Sequence, residues 1–254
     1  LLGRKEATAS TVLSRLGALG RKAKGAVPAI VPFASSDDEW VRSAALESLV
    51  AVGADAKVVV PLAVSALSCK GMAQNPAYKT LIHYGTDAKA AVPAIEKLVE
   101  DKVERENAIA VLGVITGRPE DAAKQLMGEL RRKFADGGEG SYGLNTVCHL
   151  RALAMMGEYG VNELVKGLRN DTGPIRAQYI TALACTGVQG RQALPLIRDA
   201  AADNERYVRS SAAHALGMLC FTPKGCMLDG ASPNVQVLKR LLRDQDKSVR
   251  LGAA

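Results

Sequence analysis

WVRSAALESL, at residues 40–49, decides the fold, because related stretches return as PIRAQYITAL at residues 174–183 and as YVRSSAAHAL at residues 207–216. Each copy places Arg third and Leu tenth, and VRLGA at residues 249–253 begins a further copy. The first copy has apolar residues at Val41, Ala45 and Leu49, a spacing typical of one buried helical stripe. Each copy therefore predicts a helix with one buried face, which we call the second helix of a repeat.

A glycine followed eight residues later by a proline marks the boundary between repeats. This spacing occurs at Gly20 and Pro28, Gly53 and Pro61, Gly85 and Pro93, and Gly187 and Pro195. A glycine with positive φ ends a helix readily. A proline is tolerated in the first helical turn, where its missing N–H would have no partner. Each repeat is therefore predicted to contain a first helix that follows the glycine and a second helix that ends at the next one.

The predicted second-helix ends recur every 30 to 33 residues, except for a step of 40 between Gly117 and Gly157. The glycine-rich run 137–143 accounts for the long step, and a loop from Phe221 to Pro233 lengthens the last repeat. The sequence predicts an all-α superhelix, right-handed, of about seven helix pairs and a partial eighth. We expect a single array over residues 1–254, with repeats at 1–20 (partial), 21–53, 54–85, 86–117, 118–157, 158–187, 188–220 and 221–254.

This pattern resembles HEAT repeats, in particular the short bacterial form of phycobilisome-lyase-like proteins, whose second helix opens with an acidic residue followed by Val-Arg and Ala. The resemblance implies a ladder of hydrogen bonds between repeats, made by an Asp in the turn and the Arg of the second helix. The matching pairs are Asp37 or Asp38 with Arg42, Asp101 with Arg105, Asp171 with Arg176, Asp203 with Arg209, and Asp246 with Arg250. Gln74 and Thr146 stand at the Arg position in the third and fifth repeats.

Composition and charge exclude some classes of protein. The longest stretch without charge, Ala177 to Gly190, has 14 residues, fewer than the roughly 18 needed to span a bilayer. The 33 basic and 26 acidic residues give a net charge of +7, but the basic residues are dispersed. The densest clusters are Arg21, Lys22 and Lys24; Arg131, Arg132 and Lys133; and Lys239, Arg240 and Arg243. We interpret these clusters as solvated helix ends and loops.

The reactive residues do not form a recognisable catalytic or metal-binding motif. The three histidines, His83, His149 and His214, are scattered, and no two cysteines have the C-x2-C spacing of a zinc site. We therefore predict neither an enzyme nor a metal or cofactor site. The lack of a signal-peptide pattern favours the cytoplasm, whereas a disulfide between Cys220 and Cys226 would indicate export. Both ends of the sequence are expected to continue into a longer protein.

The exposed face of the second helices is the predicted binding site. If Leu16, Leu49, Leu81, Leu112, Leu153, Leu183 and Leu216 form the buried stripe, the residues two and six positions earlier face outward, and this face is concave in the family. They carry mixed charges, whereas nucleic acid requires a continuous basic stripe. We therefore expect a protein partner, or another domain of the same polypeptide, with no membrane contact. The candidate binding residues are Glu47, Lys79, Glu106, Arg151 and His214 on this face, with Trp40 and Tyr207 as aromatic anchors at the turn.

Two alternatives remain open. The resemblance permits a lyase-type chaperone that holds a chromophore or its acceptor protein. A HEAT-like DNA-binding protein would instead use the net positive charge, chiefly Arg131, Arg132 and Lys133.

Overall fold

The structure is a computed structural model that describes residues 6–68, 74–102, 104–136, 144–222, 225–226 and 232–254. The chain divides into two compact units, Leu1–Pro119 and Glu120–Ala254. Helices dominate both units, and the only strands in the described ranges are two strands of two residues each that form a hairpin. The prediction of an all-α chain of helix pairs is therefore confirmed. The single array and its right-handed superhelix stay predictions.

Unit 1 alternates first helices with second helices. The second helices are α1 (Glu6–Ala18), α3 (Glu39–Ala51), α5 (Gln74–Tyr84) and α7 (Arg105–Ile115), and the first helices are α2 (Val27–Ile30), α4 (Ala56–Leu67) and α6 (Val92–Glu100). Each second helix packs against the next along the chain, α1 on α3, α3 on α5 and α5 on α7. The first helices α4 and α6 pack on α5 and α7. Stacking therefore buries one face of every second helix.

Unit 2 follows the same plan. Its second helices are α9 (Leu144–Met155), α11 (Ile175–Cys185), α13 (Arg206–Cys220) and α15 (Lys247–Ala253), and its first helices are α8 (Pro119–Asp136), α10 (Glu158–Asn170), α12 (Leu194–Ala200) and α14 (Pro233–Leu241). The helices α9, α11, α13 and α15 contact one another in sequence, and α10, α12 and α14 pack on their neighbours. Repetition of one contact pattern is the basis of stability in repeat proteins.

The predicted apolar stripe forms the core. Leu49, Leu81, Leu153, Leu183 and Leu216 have no exposed surface. The other two stripe leucines, Leu16 and Leu112, are half-buried, so their full burial was wrongly predicted. The stripe is completed by small residues such as Ala45 and Ala212, which let neighbouring helices approach closely.

The glycine boundaries are confirmed. All six predicted helix-ending glycines have positive φ, from +54° at Gly85 to +78° at Gly117. After Gly20, Gly85 and Gly187 the chain forms a seven-residue 3₁₀ turn, and Pro28, Pro93 and Pro195 then occupy the first turn of the next helix. The 3₁₀ turns were not predicted.

Pro61 departs from this pattern, and its predicted place in the first turn is wrong. It lies inside α4, which begins at Ala56 directly after the extended residue Asp55. Residues 56–60 thus form α-helix where the other repeats form a 3₁₀ turn. Because a proline has no N–H, Pro61 leaves one carbonyl of α4 without its helical hydrogen bond.

The two long insertions lie mostly outside the described residues, including the whole run 137–143. Within the loop that follows α13, β1 (Phe221–Thr222) pairs antiparallel with β2 (Gly225–Cys226), with Phe221 opposite Cys226. The side chains of Cys220 and Cys226 lie outside the described residues, so the disulfide stays a prediction. Across the described ranges, no helix combines the length and apolar character needed to cross a membrane.

Candidate functional site

In unit 1 the predicted binding face is a row of exposed residues on successive second helices. Ser14, Glu47 and Lys79 are exposed on α1, α3 and α5. The row stops at α7, where Ala110 is fully buried and Glu106 is half-buried. Ala110 was predicted to face outward, and this was wrong, because α7 is buried along more of its circumference than the stripe alone requires. The unit-1 row therefore carries one acidic and one basic side chain.

In unit 2 the corresponding row is longer and more apolar. Arg151, Thr181 and His214 are exposed on α9, α11 and α13, and Ala177 is buried, contrary to its predicted exposure. Val147 is 48% exposed. One helical turn beyond His214, Met218 is 43% exposed. We call Val147, Arg151, Thr181, His214 and Met218 the unit-2 row.

A second column, which shares Met218 with the unit-2 row, was missed by the sequence reasoning. It consists of the residues two positions after each stripe leucine: Met155, which is half-buried, and Cys185 and Met218, which are exposed. Their common signal in the sequence is a sulfur-containing side chain at the same register in three successive repeats. Methionine side chains are flexible and polarisable, and they adapt to varied partner surfaces. The unit-2 row is therefore flanked by sulfur-containing side chains that can adapt to an apolar partner surface.

Hydroxyl groups connect neighbouring helices at this face. The Thr181 hydroxyl lies 3.4 Å from the Ser211 hydroxyl, which joins α11 to α13. The Ser210 hydroxyl donates to the Ser248 carbonyl at 3.2 Å, which joins α13 to α15. These bonds hold adjacent helices in register, so the exposed side chains have a defined spacing.

The two aromatic residues at the turn differ in their surroundings. Trp40 is 60% exposed at the start of α3. Tyr207 is 41% exposed, and the guanidinium of Arg206 lies 4.7 Å from the centre of its ring. Arg206 also donates a hydrogen bond to the Tyr207 hydroxyl at 2.7 Å. Trp40 therefore offers the larger free surface, while Tyr207 presents a ring already stacked against a cation.

The predicted ladder arginines bind in two directions. Arg209 Nη1 donates to the carbonyl of Asp203, six residues earlier, at 2.9 Å, while Nε and Nη2 donate to Asp244 of the next repeat at 2.9 and 3.1 Å. Arg250 Nη1 likewise donates to the carbonyl of Asp244 at 2.8 Å. Arg176 forms an ion pair with Asp203 of the next repeat. Arg176 and Arg209 thus each pair with an aspartate of the following repeat.

The aspartates next to these arginines in the sequence have other roles. Asp171 accepts hydrogen bonds from Arg131 Nε at 2.8 Å and from the Tyr179 hydroxyl at 2.6 Å. Burial, together with the hydrogen bond to Asp171, raises the pKa of Tyr179 well above its ordinary value. Asp246 caps α15, since it accepts from the backbone N–H of Ser248 at 2.8 Å. Arg131 is therefore already paired with a carboxylate of unit 2, although its side chain is 42% exposed.

In unit 1 the ladder is incomplete. Arg42 is 8% exposed and its Nη1 donates to the carbonyl of Ser36, again six residues earlier. Its Nε is buried and has no hydrogen-bond partner. The sequence between α4 and α5 contains no acidic residue that could take the place of Asp244. Arg105, two repeats after Arg42, is half-buried.

The histidines lie on separate helices in different surroundings. His83 is exposed with its ring 5.2 Å from that of Tyr84, and His214 is exposed on the unit-2 row. His149 is fully buried, with Nε2 3.4 Å from a Glu129 carboxylate oxygen. In the part of the chain that the structure describes, no three His, Cys, Asp or Glu side chains are grouped to hold a metal ion. The absence of a catalytic site or cofactor stays a prediction.

Stacked pairs of antiparallel helices with buried leucine stripes define a repeat protein of the α-solenoid class. A family model described as HEAT repeats matches residues 161–254. The match covers the helices from α10 to α15 and confirms the resemblance to HEAT repeats over this part of the chain, whereas the short bacterial form of the repeat stays a prediction. No curated protein matches this chain.

Two solved structures of a much longer protein show low similarity to this chain. A mutant of Kap121p aligns with a TM-score of 0.38 and 13% identity. The karyopherin Kap121p bound to the extreme C-terminus of the protein phosphatase Cdc14p aligns with a TM-score of 0.35 and 13% identity. Each alignment covers 89% of this chain, which spans 28% of the length of the other.

Proposed function

We propose that this chain is a non-catalytic scaffold that binds a polypeptide on the exposed face of its second helices. The observation that carries the proposal is the unit-2 row, where the apolar Val147 and Met218 stand beside the polar Arg151, Thr181 and His214 on three adjacent helices. Protein interfaces combine an apolar centre with polar residues at the rim. The row has this composition, and its helices are fixed by the core beneath them.

The spacing of the helices suits an extended segment. Packed helices lie about 8–10 Å apart, so α9, α11 and α13 together span roughly 20 Å. An extended polypeptide covers this distance in about six residues. Such a segment would meet Arg151, Thr181 and His214 in turn. We infer that the partner presents an acidic group to Arg151 and an apolar side chain to Met218.

Nucleic acid is less suited to this face. A phosphate backbone requires cations along its whole track. Arg151 is the one residue of the unit-2 row with a permanent positive charge, and Glu47 and Lys79 alternate in sign in unit 1. The chaperone alternative would use the same face, and no particular residue favours it.

A capture experiment with matched variants tests the proposal. The chain serves as bait in its native extract at about 50 and 300 mM salt, with and without nuclease, because binding driven by phosphates weakens steeply over this range. Met218→Glu and Arg151→Glu alter the unit-2 row. Arg169→Glu, an exposed cation in the last turn of α10, is the charge-matched control. Lys79→Glu and its control Lys97→Glu do the same for unit 1.

We expect a protein that is captured at both salt concentrations, resists nuclease and is lost from Met218→Glu and Arg151→Glu but retained by Arg169→Glu. Equal capture by all variants would contradict a binding site on this face. Capture of nucleic acid alone, lost at the higher salt concentration and reduced by Arg132→Glu with Lys133→Glu, would replace the proposal with the DNA-binding alternative.

A further inference from the structure

Helix α14 carries a group of cations on one face. Gln236, Lys239, Arg240 and Arg243 follow one another at the spacing i, i+3, i+4 and i+7, which places them on the same side of a helix. The helical turn continues past Leu241, because the backbone N–H of Leu242 bonds to Leu238 and that of Arg243 bonds to Arg240. We call Lys239, Arg240, Leu242 and Arg243 the α14 basic face.

An open hollow of about 650 Å³ lies on this face. It is bordered by Gln236 and the four residues of the α14 basic face. The three cations are exposed, and Leu242 is 45% exposed among them. Among the described residues, no acidic side chain borders the hollow. It is therefore a positively charged depression with one apolar side chain in its lining.

The cations of this face are not engaged within the described part of the chain, where Lys239, Arg240 and Arg243 form no ion pair. Other cations of unit 2 are engaged: Arg198 Nη1 donates to Asn234 Oδ1 at 3.0 Å, and Arg131 binds Asp171. The nearest carboxylate in the sequence, Asp244, already accepts two hydrogen bonds from Arg209. Asp244 therefore does not neutralise Arg243.

The helix dipole explains only part of this arrangement. Cations stabilise the last turn of any helix, because they interact favourably with its carbonyl end. Lys97 in α6 and Arg169 in α10 occupy the same position in their helices. The dipole accounts for one or two cations at such a place. It does not explain a third cation, a hollow and an exposed leucine together.

We propose that the α14 basic face is a docking surface for an acidic polypeptide segment, one that presents at least two carboxylates around an apolar side chain. Arginine binds a carboxylate through two parallel hydrogen bonds, and Arg240 and Arg243 lie one turn apart to receive two such groups. Leu242 supplies the apolar contact. The face lies on a first helix, so it is a site separate from the unit-2 row and does not depend on the proposed function.

A polypeptide fits this face better than a nucleic acid. The cations span five residues of helix, roughly 7 Å, which is short for a track of phosphates. The described residues that border the hollow include no aromatic side chain on which a base could stack. The exposed leucine has no counterpart on a phosphate backbone.

Fluorescence anisotropy tests the proposal with two labelled probes, the peptide Glu-Glu-Leu-Glu-Glu-Leu and a single-stranded DNA of similar charge. The chain is titrated into each probe at about 50 mM salt, where screening is weak. The test variant is Lys239→Glu with Arg240→Glu, and Leu242→Ser tests the apolar contact. The control is Lys97→Glu with Arg169→Glu, which has the same net charge and alters the same position in two other first helices. Arg151→Glu reports on the unit-2 row.

We expect the peptide to bind the wild-type chain, the Lys239→Glu/Arg240→Glu variant to weaken binding at least about tenfold, and Leu242→Ser to weaken it about threefold. The control and Arg151→Glu should change it less than twofold. Circular dichroism of all variants should match that of the wild type, because every substituted residue is exposed. Absence of peptide binding, an equal loss in the control, or tighter binding of the DNA would each overturn the proposal. Loss in Arg151→Glu alone would place the acidic partner on the unit-2 row instead.

Discussion

Arg209 joins two successive repeats, since its Nε and Nη2 donate to the two carboxylate oxygens of Asp244 at 2.9 and 3.1 Å. The side chains are only 10% and 12% exposed. The Arg209 side chain comes from α13, and Asp244 lies in the turn before α15. A charge pair with this geometry holds both partners in one orientation.

Removal of one partner should be costly and removal of both less so. Arg209→Met leaves the Asp244 carboxylate largely buried without its cation, and we expect unit 2 to lose about 2–4 kcal/mol of stability. The double variant Arg209→Met/Asp244→Leu should recover part of this loss, because no charge is then left buried. Urea denaturation of the two single variants and the double variant measures the coupling. A double variant as unstable as the sum of the singles would contradict a direct interaction.

The same pair predicts how stability depends on pH. The hydrogen bond from Arg209 holds the pKa of Asp244 below its ordinary value of 3.8. A carboxyl group whose pKa is lower in the folded chain contributes stability above its unfolded pKa and loses that contribution as the pH falls through the folded value. The stability difference between the wild type and Asp244→Asn should therefore be constant above about pH 5 and shrink as the pH falls below about 4. A difference that stays constant down to the acid limit would show that Asp244 is not stabilised as a carboxylate.

Two aspartates that precede helices of unit 1 should differ in importance. Asp38 Oδ1 accepts hydrogen bonds from the backbone N–H groups of Trp40 and Val41 at 2.8 and 2.9 Å. Asp38→Ala should cost about 1 kcal/mol, the usual value of a helix cap. Asp55 precedes α4 without such a bond, and its pair with Lys24 at 3.8 Å is exposed, so Asp55→Ala should cost a few tenths of a kcal/mol at most. Thermal unfolding of the two variants compares them, and equal losses would contradict this assignment of the cap.

Two helical glycines of unit 2 should respond in opposite directions to alanine. A Cβ on Gly160 would lie 1.8 Å from the Leu153 carbonyl oxygen, so Gly160→Ala should destabilise by about 1–3 kcal/mol. A Cβ on Gly128 would meet nothing within 4 Å, and Gly128→Ala should stabilise α8 by about 0.5–1 kcal/mol. Chemical denaturation gives both values. A neutral Gly160→Ala would mean that α9 and α10 separate easily.

The sequence predicted the repeat and the second helices because glycine, proline and leucine each have a local signature. Gly85 ends a helix for a steric reason that depends on that residue alone, and Leu183 is buried because its helix has only one apolar face. Pro61 shows where this reasoning fails. Proline restricts its own backbone but does not decide whether the residues before it form a 3₁₀ turn or an α-helix, and in α4 they form the latter.

The partners in the ladder could not be predicted, because the turn before α15 contains two aspartates, Asp244 and Asp246, and the sequence does not say which of them binds an arginine of the preceding repeat. The family pattern assigned Asp246 to the ladder. In the structure Asp246 caps its own helix, and Asp244 binds Arg209. Which carboxylate faces the preceding repeat depends on how the helices stack. Likewise, the burial of Ala110 and Ala177 follows from contacts across helices, and alanine is compatible with either side of a helix.

The bond from arginine Nη1 to the carbonyl six residues earlier, at Arg42, Arg209 and Arg250, also works as a length gauge. In these three repeats it fixes the number of residues between the carbonyl and the arginine, whereas Arg176 Nε donates to the Leu168 carbonyl, eight residues earlier, at 3.3 Å. An insertion between the carbonyl and the arginine would break the six-residue spacing, so a repeat that gains residues there loses this bond. The fifth repeat fits this rule, since its insertion 137–143 precedes a second helix with Thr146 in place of arginine. In the three repeats that form this bond, the length of the turn is thus tied to the presence of one side chain.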